Sequence, residues 1–490
     1  MKYILTIDQG TTSSRAILFD EKANSVAKYQ MEFTQIHRKP GFVEHNANEI
    51  YETVIECIKN VLNESNINVI DIAGIALTNQ RETAVMFDKA GNPLCDAICW
   101  QSKQSEYIAQ KLIKEGYEEL IYEKTGLHIN SYFSATKIKY MLDNNKNVRE
   151  HYDNNDCLFG TVDTFLLYKL TGGKSYYTDA TNASRTLLYN ITTLDYDDEL
   201  LDIFKIKRSI LPKVLSNNSC FGFAEIEGVR IPIVSMIGDQ QASLFGHTAF
   251  NEGEMKNTYG TGCFMLMNTG STPVFSKNGL LTTIAYMIDG KPTYALEGSV
   301  FVAGAAVTWL RDSLRIIQSS KETYERSLKE HGHDLVFVPA FQGLGTPYWD
   351  NECKGAMFGI SFNTTQESVI KATLEAIAYQ AKDLMEEMKK ETSLTKISLS
   401  VDGGASANDY LLQFESDIMQ CVIKRPRQIE TTALGAFFIA GLKLNIFDNL
   451  AQLRKINEID KYYYPIMSEE ESSSLYSNWQ KAVRACMMYK

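Results

Sequence analysis

Residues 3–20 read YILTIDQGTTSSRAILFD, in which two apolar runs enclose a small polar turn. Residues 3–7 and 16–19 are rich in strand-forming side chains, so the stretch predicts a strand, a turn and a second strand. Gly10 permits a tight bend, and the hydroxyl and N–H groups of residues 11–14 can donate hydrogen bonds to phosphate oxygens. Arg15 adds a permanent cation. The stretch therefore predicts either a phosphate-binding turn or an ordinary polar hairpin.

Two familiar phosphate motifs are absent from this turn. No Gly-Lys-Ser/Thr follows it, which excludes a Walker A loop, and no G-x-G-x-x-G opens a helix there, which excludes a Rossmann fingerprint. Asp8 stands at the end of the first predicted strand. Its carboxylate could hold Mg²⁺ directly or through water.

Length and composition narrow the class of protein. A chain of 490 residues can bury a large core and suggests two to four domains. The formal net charge is −11 and no Lys/Arg-rich run occurs, which argues against nucleic acid or an anionic membrane as a partner. No apolar run approaches the roughly 20 residues of a membrane span. The nine cysteines form no CxxC motif, which predicts reduced thiols and a cytoplasmic location.

A charged pair interrupts the next predicted strand region. A strand at residues 70–78 runs into Asn-Gln-Arg-Glu-Thr at residues 79–83. Neighbouring strand residues point to opposite faces, but a bend would let Arg81 and Glu82 reach one cleft. A donor beside an acceptor suits a polyol, whose hydroxyls are both donors and acceptors. The alternative is an exposed ion pair at a sheet edge.

Two further side chains each have a functional and a structural interpretation. Tyr132, in a turn-rich connector, could offer its phenol to a cleft or pack in the core. Asp239 follows a predicted strand at residues 231–237 and precedes a helical stretch. Open α/β sheets bind ligands at such strand ends, although a helix cap explains the same position.

The opening pattern returns in the second half of the chain. Residues 257–263 read NTYGTGC and lead into an apolar run, and residues 401–408 read VDGGASAN after an alternating strand. Glycines between a strand and a helix let a flat ring or a phosphate lie against the backbone. These turns suggest a duplicated architecture, with one half starting near Met1 and the other near residue 245.

Taken together, these motifs resemble the FGGY carbohydrate kinases, a branch of the actin-like ATPases. The similarity runs from residues 7–15 to the last helices, and its most specific pieces are residues 78–83, 238–241, 257–264 and 401–405. The Asn-Gln-Arg-Glu piece is typical of the members that phosphorylate glycerol and separates them from xylulose, ribulose and gluconate kinases.

The resemblance implies an α/β fold of two actin-like (ribonuclease H-like) domains, with mixed sheets flanked by helices and the active-site cleft between them. Residues 1–245 would form the glycerol and phosphate side, and residues 246–490 the nucleotide side. It further implies ATP as co-substrate, Mg²⁺, and a homodimer or homotetramer.

The site residues implied by the resemblance fall into three groups. Those for the glycerol hydroxyls and carbon face are Arg81, Glu82, Tyr132, Asp239, Gln240, Trp100 and Phe264. Those for ATP are Thr11, Thr12, Ser13 and Arg15 on the phosphates, and Thr261, Gly304, Gly404 and Asn408 on the rest of the nucleotide. Asp239 would be the catalytic base, and Asp8 and Asp239 would organise Mg²⁺.

Two other functions fit parts of the sequence. A kinase of another polyol or sugar would share the nucleotide motifs. An actin-like filament protein or chaperone ATPase would share the nucleotide cleft but lack the pair at Arg81 and Glu82.

Overall fold

Two large β-sheets form the framework of the chain in a computed structural model, which describes residues 2–350, 352–394 and 396–489. The first sheet has six strands and is built around the predicted hairpin. Strand Tyr3–Gln9 runs antiparallel to Ser13–Asp20 and parallel to Ile72–Asn79. The order across the sheet is Gly222–Ile226, Val229–Gly238, Ile72–Asn79, Tyr3–Gln9, Ser13–Asp20 and Ser25–Glu32.

The second sheet has seven strands and is built around another hairpin. Strand Glu254–Tyr259 runs antiparallel to Cys263–Gly270 and parallel to Ser398–Gly403, as its counterpart does in the first sheet. The order across the sheet is Leu281–Ile288, Lys291–Val300, Cys263–Gly270, Glu254–Tyr259, Ser398–Gly403, Ile423–Pro426 and Ile459–Tyr463.

The remaining strands are short pairs at the margins of the two sheets. They are Glu44–His45 with Ala97–Ile98, Val85–Phe87 with Leu158–Gly160, Tyr177–Asp179 with Lys213–Leu215, Tyr189–Asn190 with Asp195–Tyr196, and Val336–Val338 with Ala356–Phe358. The strand Ala97–Ile98, which precedes Trp100, is only two residues long.

Helices flank both sheets, as predicted for this fold class, and the mixed α/β fold is confirmed. Their bounds are Ala47–Ser65, Glu106–Lys114, Glu118–Thr125, Ser134–Asn144, Lys146–Asp153, Val162–Leu170, Ala180–Ala183, Asp198–Phe204, Asp239–Gly246, Gly304–Asp312, Glu322–Ser327, Gln366–Thr392, Asp409–Met419, Thr431–Lys443, Leu450–Ile456 and Glu469–Met488. Within the described ranges, no helix is both long enough and apolar enough to cross a membrane.

Helix caps show where the local sequence decides a boundary. Asn46 accepts hydrogen bonds from the N–H groups of residues 48 and 49 and starts helix Ala47–Ser65. The longest helix, Gln366–Thr392, begins with a capping box formed by Thr365 and Ser368.

Two helices cross where the two sheets meet. Helix Asp239–Gly246 follows a strand of the first sheet, and Thr431–Lys443 follows the strand Ile423–Pro426 of the second. Their apolar side chains join those of the first-sheet strands in one buried cluster. The division of the chain at residues 245 and 246 stays a prediction, and helix Thr431–Lys443 packs against the first sheet.

The crossing is so close that only glycine fits at its centre. A Cβ on Gly435 would lie 1.8 Å from the carbonyl oxygen of Ala242, and one on Gly246 would lie 2.0 Å from that of Thr431. Both neighbours are backbone atoms in helices, so neither can move alone. The small residues therefore fix the distance between the two halves.

We predict that Gly435→Ala lowers the free energy of unfolding by about 1–3 kcal/mol, because the added methyl group forces the helices apart. Urea unfolding followed by far-UV circular dichroism measures the change. Gly404→Ala is the control for stability, since a Cβ there meets no atom within 4 Å. Equal unfolding midpoints for Gly435→Ala and the unmodified chain would contradict the prediction.

Candidate active site

The carboxyl ends of three neighbouring strands meet at one edge of the first sheet. Gln9 pairs with Asn79, and Asn79 pairs with Gly238 in the adjacent parallel strand. Asp8, Arg81 and Asp239 therefore lie next to these strand ends, where open α/β sheets place their ligands. Parallel pairing thus brings together residues that are far apart in the sequence.

Arg81 and Glu82 converge because the backbone bends between them. Glu82 has φ of +61°, a left-handed conformation that non-glycine residues seldom adopt and that abolishes strand alternation. Arg81 Nε lies 3.8 Å from Glu82 Oε1. Both residues are buried, with 3% and 1% of their surface exposed, which excludes the exposed edge pair.

Arg81 is fixed by partners from both sheets. Its Nη1 and Nη2 donate to Glu297 at 2.6 and 3.1 Å, and its Nη2 also donates to the Tyr132 hydroxyl at 3.4 Å. Its Nε lies 3.3 Å from Asp239 Oδ1. The aliphatic stem lies against Gly238, where a Cβ would come within 2.8 Å of Arg81 Cγ.

A second arginine closes a ring of buried charges. Arg185 Nε donates to Glu82 Oε1 at 2.5 Å, and its Nη2 donates to Glu297 Oε1 at 2.9 Å. Its guanidinium lies over the ring of Phe133, 5.2 Å from the centroid. Positive and negative side chains alternate around the ring, so that each buried charge has two neighbours of opposite sign.

Three aromatic side chains form a wall beside this ring. The Trp100 ring lies edge-on to Tyr132 at 5.6 Å and to Phe264 at 6.3 Å between centroids. Phe264 comes from the second sheet and the other two from the N-terminal half. The structure thus brings these three predicted residues together, and their faces can cover the carbon atoms of a small polyol.

Asp239 is the first residue of its helix and remains 27% exposed at its side chain, so a substrate can reach it. Burial raises the pKa of Asp239 above its ordinary value, and Arg81 opposes that rise. The neighbouring Gln240 accepts a hydrogen bond from Lys256 Nζ. Burial lowers the pKa of Lys256 to about 8, against the opposing charges of Asp402, Glu297 and Asp239.

The hairpin of residues 3–20 closes as its sequence predicts. Gly10 N–H donates to the carbonyl of Ser13 at 2.9 Å, and the carbonyl of Thr12 accepts from the N–H of Phe33. The Thr11 hydroxyl accepts from Trp100 Nε1 at 2.9 Å. That bond links the turn to the aromatic wall.

Ser13 and Arg15 have protein partners that a phosphate would share or displace. Gln30 donates to the Ser13 hydroxyl at 2.8 Å and accepts from Arg15 Nε at 3.2 Å. Arg15 Nη1 also donates to Glu430, which lies next to helix Thr431–Lys443. Arg15 therefore joins the hairpin to the C-terminal half.

Asp8 and Asp239 have the chemistry that a hard cation requires. Burial raises the pKa of Asp8 to about 6, with Arg15 lowering it and Glu430 and Asp239 raising it further. Two partly exposed carboxylates, with 15% and 27% of their side chains exposed, fit Mg²⁺, which usually binds one or two carboxylates together with substrate phosphates. Among the described residues, no group of three or more His, Cys, Asp or Glu side chains could hold a metal by itself.

Three of the predicted nucleotide residues, Thr261, Gly404 and Asn408, follow two adjacent strands of the second sheet, and the fourth, Gly304, begins the helix Gly304–Asp312. Tyr259 pairs with Gly403, so the turns that follow these residues are neighbours. The carbonyl of Thr261 accepts from the N–H of Ala303, and the Gly304 N–H donates to the carbonyl of Gly260 at 3.1 Å. A Cβ on Gly304 would lie 2.5 Å from that oxygen, which requires glycine there.

The other two nucleotide residues differ in how much space surrounds them. A Cβ on Gly404 would meet no atom within 4 Å, so its backbone is open to a ligand. Asn408, in contrast, caps helix Asp409–Met419 through Leu411 N–H, and its amide donates to Thr323 at 2.9 Å. A nucleotide contact by Asn408 would add to this structural role.

Sequence reasoning missed four residues of this site: Arg185, Glu297, Lys256 and Glu430. Arg185 ends a polar loop at residues 178–185, whose composition suited a cleft wall. Glu297 is a single charge inside the apolar strand Lys291–Val300, and that isolation was its only signal. Lys256 and Glu430 carry no local signal, because their partners come from distant parts of the chain.

We predict that Lys137, a buried lysine beside the site, makes stability depend on pH. Its Nζ donates to the carbonyl of Tyr132, and burial lowers the pKa of Lys137 from 10.5 to about 7. Between these two values the unfolded chain binds more protons, so the free energy of unfolding should increase as pH rises through that window. Urea unfolding at pH 7, 8 and 9 should show a shallower increase for Lys137→Met.

Lys139→Met is the matched control for this prediction. Lys139 lies on the same helix and pairs at the surface with Asp143 at 2.6 Å, so its replacement should preserve the slope. Identical slopes for Lys137→Met and the unmodified chain would refute the prediction.

Comparisons with known proteins identify one family along most of the chain. The model of the FGGY family of carbohydrate kinases matches residues 3–246 with its N-terminal domain and residues 255–444 with its C-terminal domain. The chain is 51% identical to the glycerol kinase of Enterococcus faecalis over 494 residues, covering 100% of this chain and 98% of that protein. It is 50% identical to the glycerol kinase of Brevibacillus brevis, covering 100% and 99%.

Solved structures extend the comparison to the fold. The crystal structure of Plasmodium falciparum glycerol kinase with ADP has a TM-score of 0.94 and 37% identity, covering 99% of this chain and 98% of that one. Gluconate kinase from Lactobacillus acidophilus has a TM-score of 0.90 at 23% identity, covering 100% and 99%, and shares the fold.

Proposed function

The chain belongs to the FGGY family of carbohydrate kinases, and from this premise we propose that it transfers the γ-phosphoryl group of ATP to a terminal hydroxyl of glycerol. The products are sn-glycerol 3-phosphate and ADP. The relatives that are about half identical to the chain over its full length are named as glycerol kinases.

The observation that carries this proposal is the convergence of Arg81 and Glu82 on one buried point. Their donors and acceptor match the hydroxyls of a diol, each of which donates one hydrogen bond and accepts others. Arg81 and Arg185 both approach Glu82 at Oε1, which leaves Oε2 for a substrate hydroxyl. The pair is thus positioned for a substrate rather than for surface solvation.

The aromatic wall supports a small substrate. The rings of Tyr132 and Phe264 both pack against Trp100, at 5.6 and 6.3 Å between centroids, so the three side chains form a small apolar surface beside the charged pair. A three-carbon triol has one hydrophobic edge and hydroxyls along the other. We infer that the wall covers that edge and excludes longer sugars.

Asp239 is the group that supports base catalysis. In the proposed reaction its carboxylate accepts the proton as the glycerol oxygen attacks the γ-phosphorus, and the bond to the β-phosphate oxygen breaks. Arg81 Nε, 3.3 Å away, keeps the carboxylate oriented. A positioned base of this kind contributes about 10²–10⁴-fold to the rate.

Phosphate transfer also requires the two substrates to meet in line. The Trp100–Thr11 hydrogen bond joins the aromatic wall to the proposed phosphate turn, so the attacking oxygen and the γ-phosphorus would lie close together. Arg15 and the turn N–H groups supply positive potential there. Bound Mg²⁺, held through Asp8 and Asp239, would neutralise charge on the phosphate oxygens.

The nucleotide would lie on the second sheet. The turns after Tyr259 and Gly403 are adjacent, and we infer that Thr261, Gly304, Gly404 and Asn408 would line the nucleotide site there. We also infer a cytoplasmic enzyme that assembles as a homodimer or homotetramer.

Substrate choice is the direct test of the proposal. We expect ADP release in the presence of ATP and Mg²⁺ to depend on glycerol and to prefer it over xylulose, ribulose and gluconate. A coupled ADP assay with this panel measures the preference. A higher kcat/KM for a pentulose, or ATP turnover that ignores glycerol, would overturn the assignment.

Asp239→Asn tests the catalytic assignment. The amide retains shape but cannot accept the proton, so we expect kcat to fall at least 10²-fold while glycerol binding stays measurable by calorimetry. Asp383→Asn is the control: Asp383 is buried among Tyr476 and Trp479, and burial raises its pKa to about 7, so an amide is tolerated there. Near-normal turnover by Asp239→Asn would remove Asp239 from the base role.

A further inference from the structure

Glu297 occupies a position that links the two sheets through charge. It lies on strand Lys291–Val300 of the second sheet, opposite Leu266 and Leu281 in the neighbouring strands. Its surface is 1% exposed. A carboxylate at such a depth is costly unless strong partners compensate the lost hydration.

The compensation comes from two arginines that belong to the N-terminal half. Oε2 accepts from Arg81 at 2.6 Å, and Oε1 accepts from Arg81 at 3.1 Å and from Arg185 at 2.9 Å. Burial alone would raise the pKa of Glu297, but Arg185 and Arg81 lower it to about 2. Glu297 is therefore an anion at every physiological pH.

These contacts fix the orientation in which Arg81 presents its guanidinium at the site. A bidentate contact fixes the guanidinium plane as well as its position. With both terminal nitrogens on Glu297, Nε is directed toward Asp239, and one terminal nitrogen reaches Tyr132. Without Glu297, the guanidinium would keep single contacts to Gln241, Tyr132 and Asp239, and no bidentate partner would fix its plane.

Arg185 transmits the same constraint to Glu82. Arg185 donates to Glu297 with Nη2 and to Glu82 with Nε. Its guanidinium also lies over the aromatic rings of Tyr132 and Phe133, and these contacts restrict its motion. The φ of +61° at Glu82 is a strained conformation that persists only where the surroundings maintain it. The Arg185 bond provides one such restraint.

Resting on the function proposed above, we propose that Glu297 is a positioning residue for glycerol: it holds Arg81 directly, and Glu82 through Arg185, in the arrangement that binds the polyol hydroxyls. Glu297 does not touch the substrate itself. Because it belongs to the second sheet, the polyol site is complete only when both halves of the chain are in contact.

The test compares Glu297→Gln with Glu297→Asp in steady-state kinetics. The amide keeps the shape but loses the charge, and we expect the KM for glycerol to rise about 10- to 100-fold, the range for a lost charge-assisted hydrogen bond. The KM for ATP and the Kd for ADP, measured by calorimetry, should stay unchanged. Glu297→Asp keeps the charge and should recover part of the glycerol affinity.

Glu375→Gln is the matched control. Glu375 is a buried glutamate of the C-terminal half whose partners, His333 and Tyr410, have no contact with the charge ring. Its kinetics should equal those of the unmodified enzyme. If Glu297→Gln does not fold, the charge-balanced double variant Glu297→Gln/Arg185→Met replaces it, with the glycerol KM still expected to be raised.

The outcomes separate this inference from the proposed function. If the unmodified chain does not phosphorylate glycerol, the proposed function fails and the inference fails with it. If it does, and either Glu297→Gln or the double variant has an unchanged glycerol KM, the positioning role alone is wrong. Equal losses in Glu297→Gln and Glu297→Asp, spread over glycerol and ATP parameters alike, would indicate only structural damage and also overturn the inference.

Discussion

The buried ring of Arg81, Glu297, Arg185 and Glu82 is the interaction on which the site depends. Two cations and two anions alternate at distances of 2.5–3.8 Å, and each lies out of contact with bulk water. Removing any one member would leave an unpaired charge in a region of low dielectric, which typically costs 3–5 kcal/mol. Such a ring is weak evidence for stability, but its contacts hold four side chains in one arrangement, and Arg81 and Glu82 belong to it.

The two sheets bring these charges together in different ways. In the first sheet, parallel strands place Asp8, Arg81 and Asp239 at one edge, since the carboxyl ends of parallel strands coincide. In the second sheet, Glu297 reaches the same place from a strand that is antiparallel to both neighbours. The close crossing of two helices at Gly246 and Gly435 fixes the distance between the charged residues of the first sheet and Glu297 of the second.

The regions proposed for phosphate and for polyol are in direct contact. Trp100 contacts Tyr132 and Phe264 with its ring and donates to Thr11 with its indole nitrogen. Arg15 of the N-terminal hairpin pairs with Glu430 from the C-terminal half. A group transfer between a nucleotide and a small alcohol requires this proximity. Side chains of the two halves of the chain contact each other on both sides of the site.

The sequence by itself determined the local elements and the residues that carry their own signal. The hairpin at residues 3–20, the capped helix after Asn46 and the turn glycines follow from propensities and patterns that act over a few residues. Arg81, Glu82 and Asp239 were identifiable because they follow strands in recognisable motifs. The sequence did not identify Glu297, Arg185, Lys256 or Glu430, because the role of a buried charge depends on its partners. The partners of Glu297 are 112 and 216 residues away in the sequence. Only the tertiary structure decides those pairings, because burial removes water and makes each charge depend on the opposite charge that folding brings to it.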